Sequence, residues 1–197
     1  LALDPGYYVM TTGTRLSDGS VLARTTFFNI ESDKTTNIDL VMREPETGLK
    51  IIGNFNSENR YMPLDKAEDM SLLSTTGRGF YVLGLLDGGS EPTTHAMQDI
   101  ALVKDQLDKW GRSFVFLFQN EEHKNNFEKK NFQGLPENLT FGIEDGKMLK
   151  EIVANMRLQN NNLPIFIVAN TQNEIVFISQ GYTIGLGEQL MKVINEL

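Results

Sequence analysis

Apolar residues run almost unbroken from Phe80 to Leu86 (FYVLGLL), again over Ser113 to Phe118 (SFVFLF), and again over residues 163–170 (LPIFIVAN). Runs this short, bounded by turn residues, are what strands buried on both faces require. Elsewhere the period changes. Ala96, Ile100, Val103 and Leu107 recur at helical spacing, as do Met148, Leu149, Ile152, Val153 and Met156 within residues 147–158; both patterns predict amphipathic helices. A charged helix anchored by Phe127 is predicted over 121–130 and a closing helix over 187–197. Short strands are predicted at 139–143 and, after the turn Thr171-Gln172-Asn173, at 174–179 (EIVFIS). Strands alternating with helices give an α/β class: a mixed sheet flanked by helices.

The first forty residues obey a different rule. Pro5-Gly6 opens a strand (GYYVMTTGTRL), Asp18-Gly19 carries hairpin-turn chemistry, and residues 21–30 make the second strand. A third is predicted over 36–42, with Ile38, Leu40 and Met42 alternating against Asn37, Asp39 and Val41. Three such strands bury little without a partner layer. The meander therefore reads as the end of a larger β-sandwich, or as an extension packed on the α/β domain. Residues 43–49 (REPETGL) are polar and contain Pro45 and Gly48, which suits a linker. The expected division is residues 1–48 as the meander and 49–197 as the α/β domain. Within the latter, 50–56 is a further expected strand, and 59–77 reads as irregular apart from 70–73.

The stretch after Leu86 can build a site. Asp87, Gly88, Gly89 and Ser90 break the strand, and Pro92 falls where a first helical turn tolerates a missing N–H. A strand leading through glycines to a helix start leaves free backbone N–H groups pointing outward.

These residues resemble the corresponding region of thioredoxin-like proteins, where the same turn carries Cys-x-Pro-Cys or a close variant. Here the four matching positions are Ser90, Glu91, Pro92 and Thr93: the proline is kept and both sulfurs are gone. Gly89 stands where an aromatic residue is common, and Gly84 where many members carry a buried carboxylate. Leu163-Pro164, opening an apolar strand, matches the family's cis-proline position, and IVFISQGYTIG resembles its final hairpin and glycine turn. The likeness spans roughly residues 50–197. It implies a thioredoxin-like fold of the extracytoplasmic thiol–disulfide-oxidoreductase type, without its thiol chemistry. The Pro-Gly-x-Tyr opening of the meander is similar to the tail of carboxypeptidase-regulatory-like β-sandwich modules. Such pairings imply a bacterial envelope protein with upstream domains, some transglutaminase- or protease-like.

Composition narrows the chemistry. The 197 residues include no cysteine and carry a formal charge of −8. Without cysteine there is no disulfide, no thiolate nucleophile and no cysteine-ligated metal. The acidic balance argues against nucleic acid or an anionic membrane surface as partner. No apolar run approaches the roughly 20 residues a membrane helix needs. The chain begins with Leu1, which leads us to expect that an upstream portion of the natural protein is missing here.

Three candidate chemistries remain. Ser90 at a helix start could act as a nucleophile, but it needs a general base, and the histidines are His95 and His123; the ordinary reading is an N-cap. Glu91, His95 and Asp99 recur four apart and could line one helix face, as a metal site or as a solvated polar row; no metal or other cofactor is expected. Asn138-Leu139-Thr140 matches the glycosylation sequon. The resulting expectation is a redox-inactive module for protein interaction or structural support, with catalysis within this chain left open. The alternatives are a non-thiol enzyme using the Ser90 turn, or an accessory region of an upstream enzyme. The expected partner is a protein or extended peptide, at a surface formed by Gly89, Ser90, Thr93, Leu163 and Pro164.

Overall fold

The computed structural model describes residues 3–15, 21–38, 49–127 and 134–197. The chain divides into two compact units, Leu1–Glu46 and Thr47–Leu197.

In the first unit β1 (Gly6–Arg15) and β2 (Val21–Ile30) pair antiparallel, in a register joining Gly6 to Ile30 and Arg15 to Val21. Tyr8 lies opposite Phe28 and their rings stack with centroids 5.7 Å apart. Tyr7 and Val9 point to the other side and are exposed. Of the expected third strand, residues 36–38 are irregular; the remainder, the Asp18-Gly19 turn and residues 43–48 of the linker lie outside the described residues.

The second unit is built on an eight-stranded sheet. Its centre is β6 (Phe80–Leu86), flanked by parallel β7 (Phe114–Phe118) and antiparallel β9 (Ile165–Asn170). Parallel β8 (Leu139–Ile143) lies beyond β7, and β10 (Glu174–Gln180) pairs antiparallel with β9. The outer strands are β3 (Gly53–Asn54) against β10, and β4 (Arg60–Pro63) between β8 and β5 (Met70–Ser71). The sequence reading missed β4, although it alternates: Tyr61 and Pro63 are buried while Arg60 and Met62 are exposed. Proline fits this short outer strand, where few ladder bonds are made.

Side chains alternate across the central strands and so feed two cores. On one face Phe114, Phe116 and Phe118 of β7 meet Phe141 and Phe166, and are covered by α2 (Glu91–Leu102), α3 (Lys104–Trp110) and α6 (Leu186–Ile194). Edge-on pairs recur here: Phe116 contacts Phe141 at 6.0 Å and Phe166 at 5.5 Å. On the other face Leu83, Leu85, Val115, Leu117, Ile165 and Ile167 pack under α1 (Leu72–Thr76) and α5 (Lys147–Asn155). Burial of each such side chain stabilises the fold by about 1.5–3 kcal/mol.

The helix read through Leu107 is interrupted at Val103, whose N–H donates to Ile100 O three residues back, at 3.2 Å. That tight turn separates α2 from α3 while Ile100, Val103 and Leu107 all stay against one core. The charged helix α4 covers Glu121–Asn126 and ends in an extended Phe127; the rest of its expected span is outside the described residues.

Candidate functional site

The carboxyl ends of β6, β7 and β8 and the start of β9 lie along one edge of the sheet. Each of the first three strands runs there into a polar turn, and in open α/β sheets such an edge is where crevices form.

After Leu86 the chain turns tightly. Ser90 N–H donates to Asp87 O at 3.2 Å, and Gly89 N–H to Asp87 Oδ1 at 3.3 Å. Ser90 is the N-cap of α2: it has extended backbone, and its Oγ accepts from Thr93 N–H at 3.3 Å. Its Oγ also lies 3.1 Å from both Asp87 O and Thr93 Oγ1, and its single proton is shared between these two acceptors. Glycine is required at 88. A Cβ there would stand 1.8 Å from His123 O and 2.8 Å from Phe127 Cβ. The space beside Gly88 is therefore filled by α4 and Phe127. Gly89 is exposed, with Asn126 alongside.

Thr93 requires a correction. It is 1% exposed, so it supports the turn from inside and presents nothing to a partner. Glu91 and Gly89 are outward, and Ser90 and Pro92 are half-buried.

Ile165 pairs with Leu85, so Leu163 lies beside the turn after Leu86. The Leu163–Pro164 peptide is cis, and Pro164 O accepts from Gly181 N–H at 2.7 Å. Among the described residues neither backbone group of Leu163 is hydrogen-bonded. Gly89, Ser90 and Leu163 are thus brought to one edge; Pro164 stands beside them but is buried with its carbonyl bonded to Gly181, so, like Thr93, it offers no surface to a partner.

The polar row on α2 does not act as a unit. Asp99 Oδ2 accepts from Leu186 N–H at 2.9 Å and caps α6, which has no side-chain cap of its own. The His95 ring meets Tyr182 edge-on at 5.2 Å, and its Nε2 lies 3.4 Å from Glu91 Oε1. No base is thereby aimed at Ser90, and no group of three or more histidine, aspartate or glutamate side chains could hold a metal among the described residues. Sequence reasoning did not single out Tyr182 and Ile184, which are 54% and 81% exposed on the turn between β10 and α6. Their signal was available: two large apolar residues flanked by Gly181 and Gly185, in a turn too short to bury them. Asn138, first residue of the sequon, is exposed just before β8.

Three side-chain atoms beyond the carboxyl ends of these strands are buried without a partner: Gln119 Nε2 beyond β7, His123 Nδ1 in α4 and Glu144 Oε1 beyond β8. Glu144 is 3% exposed, and burial raises its carboxyl above the ordinary value of 4.5 against the lowering effect of the Met148 N–H and of Gln119. A cavity of about 340 Å³ also opens against β8, lined by Leu64, Phe118, Lys124, Phe127, Leu139 and Phe141 among others. It includes no residue of the Ser90 turn.

The comparisons agree with this architecture. No family model and no curated protein matches the sequence. Among solved structures the chain is similar to the thiol:disulfide interchange protein DsbE from Chlorobium tepidum, with 12% identity, a TM-score of 0.52, and coverage of 72% of this chain and 95% of that one. It is similar to a SCO1/SenC family lipoprotein from Bacillus anthracis at 12% identity and a TM-score of 0.55, covering 75% and 97% of the two chains. The thioredoxin domain of a thiol-disulfide oxidoreductase from Bacteroides vulgatus matches at 14% identity and a TM-score of 0.52, over 77% of this chain and all of that one. The fold is thioredoxin-like, and it contains no cysteine.

Proposed function

We propose that this chain is a redox-inactive thioredoxin-like module that binds an extended protein segment at the Ser90–Leu163 edge, as part of an extracytoplasmic protein of the cell envelope. The observation that carries the reading is the unpaired backbone of Leu163 beside a helix start whose thiols have been replaced by hydroxyls. Thiol–disulfide exchange requires an attacking thiolate and then a mixed disulfide, and no side chain here forms either. What the edge retains is recognition: a free peptide edge that an incoming strand could extend, with exposed Gly89 on one side. Tyr182 and Ile184 enlarge the apolar part of that surface. The envelope assignment is supported by likeness of fold to a lipoprotein, and the pairing of residues 1–48 with a β-sandwich module by a hairpin carrying apolar residues on both faces.

The non-thiol enzyme reading has no observation in its favour. The Ser90 hydroxyl is spent on Asp87 O and Thr93, and His95 faces Tyr182 and Glu91.

A backbone amide titration with a library of extended peptides tests the proposal. Shifts in Leu163, Gly89 and Ser90 on binding are expected, and Gly89→Trp should abolish them while leaving thermal unfolding within about 1 °C, as expected of an exposed position. Binding with shifts confined to other surfaces would overturn it.

A further inference from the structure

Gln119 and Glu144 each come directly after the end of a parallel strand. Phe118 pairs with Ile143, so the next residues are neighbours, and both continue the side-chain alternation of Leu117 and Gly142 towards the face covered by α5. Glu144 Oε2 accepts the Met148 N–H at 3.1 Å, in the first turn of α5, where Gly146 supplies no side-chain cap. Its other oxygen, Oε1, is buried and unpartnered, and so is Nε2 of Gln119. The Gln119 side chain lies near enough to affect the acidity of Glu144, yet no well-formed hydrogen bond joins them. Two adjacent buried groups, each with one unsatisfied atom, are a costly arrangement unless something completes it.

A single proton can do so. An ionised carboxylate only accepts, whereas a neutral carboxyl carries one O–H donor; a glutamine amide offers NH2 on one side and oxygen on the other. With Glu144 neutral, an Oε1–H would donate to the Gln119 amide oxygen, the amide being turned over. With Glu144 ionised, Gln119 NH2 would donate to Oε1. In the ionised state both atoms are paired; in the neutral state Oε1–H pairs with the amide oxygen and the Gln119 NH2 is turned away from Glu144, while Oε2 keeps the Met148 N–H in each.

We propose that Gln119 and Glu144 form a proton-coupled pair at the carboxyl edge of the sheet, in which the amide of Gln119 reverses when Glu144 gains or loses its proton. The charged groups that bear on the pair are few. Asp145, next along the chain, opposes ionisation; Lys147 in α5 favours it but is itself paired with Asp145 and drawn on by Asp69. Asn120, beyond Gln119, is uncharged and caps α4. Burial holds the proton on Glu144 to higher pH than an exposed glutamate would keep it.

The wild-type chain tests this without any variant. Carboxyl carbon shifts of glutamate and side-chain amide shifts of glutamine are tracked together from pH 3 to 9. The expected result is a Glu144 midpoint above the ordinary glutamate range, with the Gln119 amide resonances moving at that same midpoint. Glu144→Gln should leave the Gln119 amide without a titration, and Gln119→Met should move the Glu144 midpoint further up. A Glu144 midpoint at or below the ordinary range would overturn the proposal, as would a Gln119 amide that stays still while Glu144 titrates.

Discussion

Gly84 lies at the middle of β6, paired with Phe116 on one side and Phe166 on the other. A Cβ at this position would stand 2.7 Å from Phe166 Cε1 and 2.8 Å from Phe116 Cδ1. Carbon atoms settle at about 3.5–4.0 Å, so both rings would have to retreat by roughly 1 Å. Neither is free to do so: Phe116 is fully buried and Phe166 is 1% exposed, and Phe116 also holds Phe141 edge-on. Overpacking of this kind costs about 1–3 kcal/mol. Replacing glycine also restricts the unfolded chain, which returns about 0.4–1 kcal/mol where the backbone permits it. Gly84→Ala should therefore lose about 1–2 kcal/mol net. For a chain of this size that lowers the unfolding midpoint by roughly 2–8 °C. Gly84→Asp, which restores the carboxylate many thioredoxin-like proteins carry here, should lose more, because an unpaired charge would join the same clash. Scanning calorimetry beside urea titration measures both. An unfolding midpoint for Gly84→Ala at or above wild type would refute the close approach of the two rings.

Asp99→Ala removes the carboxylate that caps α6 and should lower stability by about 0.5–2 kcal/mol in urea unfolding; no change would mean the cap is not formed in solution. Ser90→Ala should lose about 1 kcal/mol through its cap to Thr93 N–H, and the wild-type chain should give no acceleration in a dithiothreitol–insulin turbidity assay. Because the Ser90 and Thr93 hydroxyls are 3.1 Å apart, Ser90→Cys with Thr93→Cys should close an intrachain disulfide on oxidation, seen as the loss of two hydrogens by mass; persistent free thiols would contradict the turn geometry. For Glu144 the folded-state acidity is weaker than the ordinary value of 4.5, so folding favours the neutral form. Its contribution to stability is complete below about pH 4.5 and is lost as the pH rises through the raised folded value, by about 1.4 kcal/mol per unit of difference. Glu144→Gln should flatten that fall in urea unfolding between pH 4 and 8, and an unchanged pH profile would count against it.

The central strands and the main helices were legible because buried strands and amphipathic helices each impose a period on the sequence, and β6, β7 and β9 are nearly free of polar interruptions. Outer elements were harder to bound. The strand expected over 50–56 is only two residues long as β3, the exception read at 70–73 divides into two-residue β5 and the start of α1, and β4, which was missed, depends on pairing with β8 far along the chain. At the site, Ser90 as cap and Pro92 in the first turn come from local chemistry, whereas the burial of Thr93 depends on how α2 sits against the sheet. Tertiary geometry also explains the fate of the polar row on α2. Spacing put Glu91, His95 and Asp99 on one face, but α6 and the Tyr182 turn arrive from about ninety residues away and recruit Asp99 and His95 separately. Gly88 looked like open backbone in the sequence, and α4 closes it.

The proposed recognition of an extended segment rests most heavily on Leu163 as a free backbone edge. Hydrogen exchange of the Leu163 amide, measured with and without a bound extended peptide, tests it directly. In the free chain that amide should exchange with little protection, and binding should slow it together with the shifts at Gly89 and Ser90. If Leu163 is already protected in the free chain, or a bound peptide leaves its exchange unchanged, the edge is not where this protein meets its partner.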